Sequence, residues 1–327
     1  MRESAVAIAG PPALLERDDL SGALADALAD VAQSLCGRVV VVAGEAGAGK
    51  TALLRTFADA MPRGTDVHWA TCDALATPRP LGPLLDLADV LGGELRRQVA
   101  MGAPPHDVAD SLLRHAEGRV PSVVVIEDVH WADEATLDVL RLVAGRMRTV
   151  PLLLVVSYRS DQVGRTGALR VLLGELPSTT AVTRLRVPPL SAEAVAALAE
   201  PAGVDPVALF ARTAGNPFFV TEALAAGEAT LPDTIRDAVL ARAARLSEPA
   251  RSLLDAVAVV PGRTEVWLLD ALQTSPPGAI DECLNAGMLT GDGAAVAVRH
   301  ELARLAVEES LAPGRRVELH RRALAAL

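Results

Sequence analysis

The run Arg38-Val39-Val40-Val41-Val42-Ala43 leads straight into Gly44-Glu45-Ala46-Gly47-Ala48-Gly49-Lys50-Thr51, and a helical pattern carries on to Ala60. Few local sequences restrict a fold so tightly. A short β-branched stretch without polar alternation suits a strand covered on both faces, which means a parallel sheet flanked by helices. Glycines at 44, 47 and 49 let the backbone N–H groups of the loop turn inward. The helix that follows brings the positive end of its dipole to the same point. This GxxxxGK[ST] spacing in a strand, loop, helix context reads as a phosphate-binding loop. Gly44, Glu45, Ala46, Gly47, Ala48, Gly49, Lys50 and Thr51 are therefore the expected nucleotide contacts, with the Thr51 hydroxyl placed to ligate Mg²⁺.

Lys50 is the single lysine among 31 basic residues. A solvated cation can be Arg or Lys with little consequence, so a drift toward Arg spares the site that needs a compact ammonium. Between β- and γ-phosphate oxygens, a point charge fits where a planar guanidinium does not.

The chain has 327 residues, too many for one core of ordinary size, so two or three domains are expected. Half the residues are hydrophobic but only 2% are aromatic. That balance favours helices packed closely through small side chains. No run approaches the roughly 18–20 apolar residues of a membrane span. The start, Met1-Arg2-Glu3-Ser4, lacks the features of a signal peptide, so a cytoplasmic location is expected. Cys36, Cys72 and Cys283 are far apart and read as free thiols. The net charge of −10 makes the whole chain a poor electrostatic partner for DNA or anionic lipid. Arg315-Arg316 and Arg321-Arg322 fit the polar side of an amphipathic helix better than a nucleic-acid patch.

Two further buried strands are read at Val123–Ile126, closed by Glu127-Asp128, and at Pro151–Val156, closed by Ser157-Tyr158-Arg159. Helical segments at 20–35, 83–91, 106–116 and 134–147 alternate with the strands, giving a doubly wound α/β domain over 1–187. Ligands in such sheets sit at the carboxyl ends of the strands, where all three polar clusters fall. Past Val187-Pro188-Pro189-Leu190 the pattern becomes helical, opening with Ser191 as an N-cap. An all-α lid is expected over 188–229, interrupted by Gly215-Asn216-Pro217-Phe218-Phe219. Helices at 233–245, 248–259, 264–272 and 276–286, then a hairpin turning at Gly291-Asp292-Gly293, suggest a winged helix over 230–311. Residues 312–327 begin a further helix, and the absence of a terminal breaker leads us to expect a piece of a longer protein.

Glu127-Asp128 after four apolar β residues has the form of a Walker B pair. One acid would hold Mg²⁺ and the next would orient or deprotonate the attacking water. By position Glu127 is the metal-side acid and Asp128 the catalytic one, though Asp is the commoner first acid and the roles could be exchanged. Arg159 comes within reach of a γ-phosphate if its strand neighbours the Walker strands. His130 and Trp131 follow the acids without closing a metal-ligand set, and packing or loop positioning is their expected role.

Together with the loop, Ile126-Glu127-Asp128-Val129-His130-Trp131-Ala132-Asp133, Ser157-Tyr158-Arg159-Ser160, Gly215-Asn216-Pro217-Phe218-Phe219 and Arg299-His300-Glu301-Leu302 resemble the ATPase module of large ATP-binding LuxR-type transcriptional regulators. These belong to the STAND class of AAA+-related signalling ATPases. The resemblance implies a P-loop NTPase domain, a helical lid and a winged helix closing over ATP or ADP with Mg²⁺. It implies that Pro217 contacts the base and that His300 reaches the β-phosphate of ADP. It also places an early Gly-Arg-Glu segment near the adenine; here that segment is Leu15-Glu16-Arg17-Asp18, without the glycine, and points to Arg17. An inducer or regulatory protein, self-association in the ATP state, and DNA contact only through a C-terminal domain not in this chain are implied as well. A stand-alone AAA+ ATPase that loads or remodels a partner is the alternative, and a phosphotransferase a more distant one.

Overall fold

The computed structural model describes residues 14–62, 65–74, 78–117, 120–162, 167–176, 182–227, 231–272, 276 and 278–326. The expectations attached to Met1–Ser4 and to Leu327 lie outside these residues. In the first body, α1 (Asp18–Ser34) leads into β1 (Arg38–Gly44), α2 (Lys50–Asp59) and β2 (Asp66–Thr71). Then come α3 (Gly82–Leu91), α4 (Gly93–Ala100), α5 (Pro105–Ala116) and β3 (Ser122–Glu127). The body closes with α6 (Glu134–Arg146), β4 (Leu152–Arg159), α7 (Gly167–Glu175) and β5 (Val182–Val187).

The five strands form one parallel sheet in the order β2-β3-β4-β1-β5. Side-chain alternation along each central strand divides its residues between two cores. Val39 and Val41, Val124 and Ile126, and Leu152, Leu154 and Val156 enter the core built with α3–α7. Val40 and Val42, Val123 and Val125, and Leu153 and Val155 enter the core built with α1 and α2. Each such buried side chain contributes roughly 1.5–3 kcal/mol relative to exposure, so the three central strands are firmly held. That rigidity fixes the carboxyl edge, where the register sets Gly44 opposite Arg159 and Ile126 opposite Val156.

The expected doubly wound sheet is present, with two strands more than the three read from sequence. β2 and β5 are the sheet edges. Their exposure alternates or stays partial, as in Val182-Thr183-Arg184-Leu185-Arg186-Val187, so neither presents the continuous apolar run that marks β1, β3 and β4.

The second body follows with α8 (Ala192–Ala199), α9 (Pro206–Thr213), α10 (Pro217–Ala226), α11 (Asp233–Ala243) and α12 (Glu248–Ala258). It continues through β6 (Thr264–Glu265), α13 (Val266–Leu272), α14 (Ala279–Asn285), β7 (Leu289–Gly291), β8 (Ala295–Val298), α15 (Glu301–Ser310) and α16 (Pro313–Ala326). Ser191 caps α8 by accepting from the Ala194 N–H at 3.1 Å. β7 and β8 make the expected hairpin, and β6 adds a third antiparallel strand in the order β6-β8-β7. The helix anticipated from 264 therefore begins at Val266; β-branched Thr264 is fully buried and pairs with Val296. One apolar core runs from Leu190 in the linker to Ala323 in α16.

No described helix is long and apolar enough to cross a membrane.

Candidate functional site

The loop between β1 and α2 sits at the carboxyl edge of the sheet, with Gly49 at φ +93° as the N-cap of α2 and Lys50 as its first residue. The Lys50 side chain is 7% exposed and folds back into the loop, its Nζ donating to the Gly44 and Glu45 carbonyls at 2.9 Å each. Burial lowers the pKa of this ammonium, and the carboxylate of Asp128 opposes the shift. Because the ammonium sits among neutral carbonyls, a phosphate oxygen would be a stronger partner for it.

β3 brings Glu127 beside the same point. Glu127 is 6% exposed, and its Oε1 has no hydrogen-bond partner among the described residues. Burial raises its pKa, while the Thr51 hydroxyl pulls it back down. Asp128 follows at φ +56°, a left-handed conformation that Asp tolerates better than most residues, and its N–H donates to Ser157 Oγ of β4 at 3.2 Å. The kink turns the Asp128 carboxylate outward to partial exposure, with Oδ1 3.8 Å from His130 Nδ1. The two acids thus differ in setting: Glu127 is buried beside Thr51, and Asp128 faces the open side.

His130 is buried, and its Nδ1 accepts the Arg159 backbone N–H at 3.3 Å. That bond ties the Walker B turn to the end of β4. It places the imidazole in loop positioning, as its sequence context suggested. β4 lies between β3 and β1, so the condition set for Arg159 is met: it ends its strand level with Gly44. Trp131, on the same turn, packs under the Arg245 guanidinium at 5.0 Å from the ring centroid.

The second body grips the loop directly. Asn216, the N-cap of α10, donates from Nδ2 to the Ala46 carbonyl at 2.9 Å, and the Phe218 N–H donates to the Gly47 carbonyl at 3.2 Å. Gly47 has φ +78°, and a Cβ there would stand 2.7 Å from Asn216 Oδ1 and 2.8 Å from Phe218 Cβ. Both the backbone and the close approach therefore require glycine. Pro217 is the first residue of α10, between the two loop-binding residues. From the link between β8 and α15, Arg299 Nη1 meets Glu45 Oε1 at 2.5 Å, and His300 Nε2 lies 3.7 Å from Glu45 Oε2. The His300 ring packs edge-on against Phe219, 4.8 Å between centroids. Burial, then the cations of Arg299 and Arg242, push its pKa down to about 4, so the ring is neutral at pH 7.

Arg17, the N-cap residue of α1, reaches the loop from another side. It is 3% exposed, and its Nη2 donates to the Pro188 carbonyl at 2.6 Å and the Ala48 carbonyl at 3.4 Å. Next to it, Glu16 Oε2 accepts the Ser191 N–H at 2.9 Å. These residues fasten the linker between the bodies to the back of the loop.

A cavity of about 210 Å³ lies where the bodies meet, bounded by Ala46 and Gly47 of the loop, Arg159 of β4, Arg242 of α11, and Arg299 and His300. Three guanidiniums thus face one space beside the phosphate loop. Asp161 provides a counter-charge to Lys50, Arg242 and His300. It also meets Gly287, whose φ of +67° and contact with the Asp161 side chain leave no room for a Cβ. Sequence reasoning missed Arg242, Asp161 and the Asn216 amide. The motif Gly215–Phe219 was the available signal for Asn216; a lone arginine on a helix offered none. Among the described residues no three His, Cys, Asp or Glu side chains cluster as a metal site. The Thr51 hydroxyl and the unpartnered Glu127 oxygen nevertheless suit Mg²⁺, which takes few protein oxygens and completes its shell with water and phosphate.

Comparison with known proteins bears on the first body. The family described as an AAA ATPase domain matches residues 13–156. No curated protein matches the chain. Among solved structures, the Walker-type ATPase PABY2304 of Pyrococcus abyssi is similar over 90% of this chain and 96% of its own, with 15% identity and a TM-score of 0.61. The ORC1 protein of Aeropyrum pernix, solved in complex with DNA, is similar over 92% of this chain and 94% of its own, with 18% identity and a TM-score of 0.51. At these identities the likeness is one of fold. Residues 13–156 thus match the AAA ATPase domain family, and the likeness of fold to these two structures extends through the second body.

Proposed function

We propose that this chain is a nucleotide-operated switch, the ATPase module of a LuxR-type regulator of the STAND class, in which ATP or ADP at Lys50 governs how the second body holds the first. The observation that carries the reading is the shared use of one loop. The residues that would cradle phosphate, Glu45 to Gly47, are those gripped by Asn216, Phe218 and Arg299. Phosphate binding and attachment of the second body cannot then be independent, and any difference between ATP and ADP at the loop shifts the equilibrium of attachment.

In this reading the amides of residues 45–50 and the Lys50 ammonium hold the β- and γ-phosphates, while Thr51 and Glu127 would hold Mg²⁺, which supplies charge neutralisation when bound. Asp128, turned outward by its left-handed backbone, orients the attacking water, and Arg159 stabilises charge developing on the γ-phosphate. Pro217 packs toward the base from the lid, residues 188–229. His300, neutral and buried, approaches the β-phosphate from a winged helix over 230–311. Arg17 acts from behind the loop by holding the linker. An inducer or regulatory protein, and self-association in the ATP state, belong to the same reading.

The test is the nucleotide retained on purification together with turnover. Retained ADP and slow hydrolysis support a switch. Sustained hydrolysis above about 1 s⁻¹, the ordinary enzyme range, would favour an AAA+ ATPase that remodels or loads a partner.

A further inference from the structure

Glu45 places a carboxylate inside a loop built to receive phosphate, which opposes anion binding unless a cation covers it. Arg299 covers it, reaching from the second body to Glu45 Oε1 at 2.5 Å. The pair is only partly buried, its side chains 25% and 26% exposed, and pairs of this kind add little to stability by themselves. Its place matters more than its strength. The Arg299 guanidinium also borders the cavity that Ala46, Gly47, Arg159 and Arg242 line. Among the described residues Arg299 is the one arginine of the three in a side-chain ion pair, while Arg242 has the more distant counter-charge of Asp161.

We propose that Glu45 and Arg299 form a phosphate-sensitive latch: Glu45 holds Arg299 when the site carries a nucleoside diphosphate, and the terminal phosphate of a triphosphate competes for that guanidinium and loosens the second body. This rests on nucleotide binding at Lys50 as read above. A terminal phosphate brings more charge than a carboxylate and three acceptor oxygens for a forked donor. A diphosphate bound through the loop and Lys50 lacks that terminal group, and its β-phosphate is already engaged by the loop amides and Lys50. By linkage, whatever ATP does to the latch, the latch does to ATP.

The two partners can be told apart by the sign of their effects. Fluorescent ADP and a non-hydrolysable fluorescent ATP analogue are bound to the full chain and to E45Q, R299Q, R299K and E45Q/R299Q. For ADP, E45Q and R299Q are each expected to speed dissociation about 3- to 10-fold, and the double variant no more than the faster single one. R299K keeps the charge but not the planar fork, and its ADP release should fall between wild type and R299Q. For the triphosphate the signs part: R299Q weakens binding, while E45Q, by freeing Arg299, tightens it. Equal-signed effects on the triphosphate, or additive effects on ADP release, would overturn the latch. Undiminished binding of both nucleotides by K50A would overturn the nucleotide reading itself, and the latch with it.

Discussion

The Asn216 side chain donates to the Ala46 carbonyl at 2.9 Å, joining the N-cap of a helix in the second body to the loop that precedes Lys50 in the first. One amide therefore caps a helix through its oxygen and holds the loop through its nitrogen. Asn216→Ala should remove both and cost about 1–3 kcal/mol of stability in urea unfolding. Asn216→Asp keeps the cap but loses the donor. It should recover the α10 cap while still releasing nucleotide faster than wild type; a wild-type release rate in the Asn216→Asp variant would mean the loop contact is incidental.

Lys50→Ala is expected to lower ATP and ADP affinity at least ~100-fold by calorimetry, because no other ammonium can take its place among phosphates. Thermal unfolding of the nucleotide-free variant should change little, since Lys50 bonds only to carbonyls of its own loop.

Gly47 and Gly49 both have positive φ, yet only Gly47 has neighbours within 4 Å of a Cβ. Gly49→Ala should therefore cost the backbone strain alone, about 1–2 kcal/mol. Gly47→Ala adds the collision with Asn216 and Phe218 and should also push the bodies apart. Small-angle scattering of the two nucleotide-free variants decides it: a larger radius of gyration is expected for Gly47→Ala only.

Glu127→Gln should retain nucleotide binding while losing most of its Mg²⁺ dependence. Asp128→Asn should retain Mg²⁺-dependent binding and lose hydrolysis about 10²–10⁴-fold. Exchange of these two phenotypes would reverse the roles assigned to the acids.

His300 gives attachment a pH dependence whose sign follows from its depressed pKa of about 4 against an ordinary value near 6.5. Between these values the detached, exposed ring takes up a proton that the buried ring does not. Attachment is therefore strongest above about pH 6.5 and weakens as pH falls toward 4, by at most about 3 kcal/mol. His300→Gln should flatten this limb in a series of urea unfolding curves. An unchanged wild-type-minus-variant difference from pH 7 to pH 4 would show that the ring is not buried by attachment.

The parts that sequence made legible are those whose chemistry is local. A continuous apolar strand, glycines that shape a loop and acids at a strand end each declare themselves within a few residues. β2 and β5 did not, because an edge strand with one covered face shows mixed polarity that a loop can share. Arg242 and Asp161 were hidden for another reason. Arg242 is a lone arginine on α11 that only the packing of the second body brings to the loop, and Asp161, two residues past Arg159, is set near the loop by β4 lying beside β1 without a motif of its own. Arg299 and His300 were visible as a motif, but their contact with Glu45, more than 250 residues away, was not.

The central claim is that the nucleotide in the loop controls attachment of the second body. Small-angle scattering of the protein saturated first with ADP and then with a non-hydrolysable ATP analogue tests it most directly. The account predicts a compact ADP form and a larger radius of gyration with the triphosphate, a difference lost in Arg299→Gln. Identical scattering with both nucleotides demonstrably bound would contradict it.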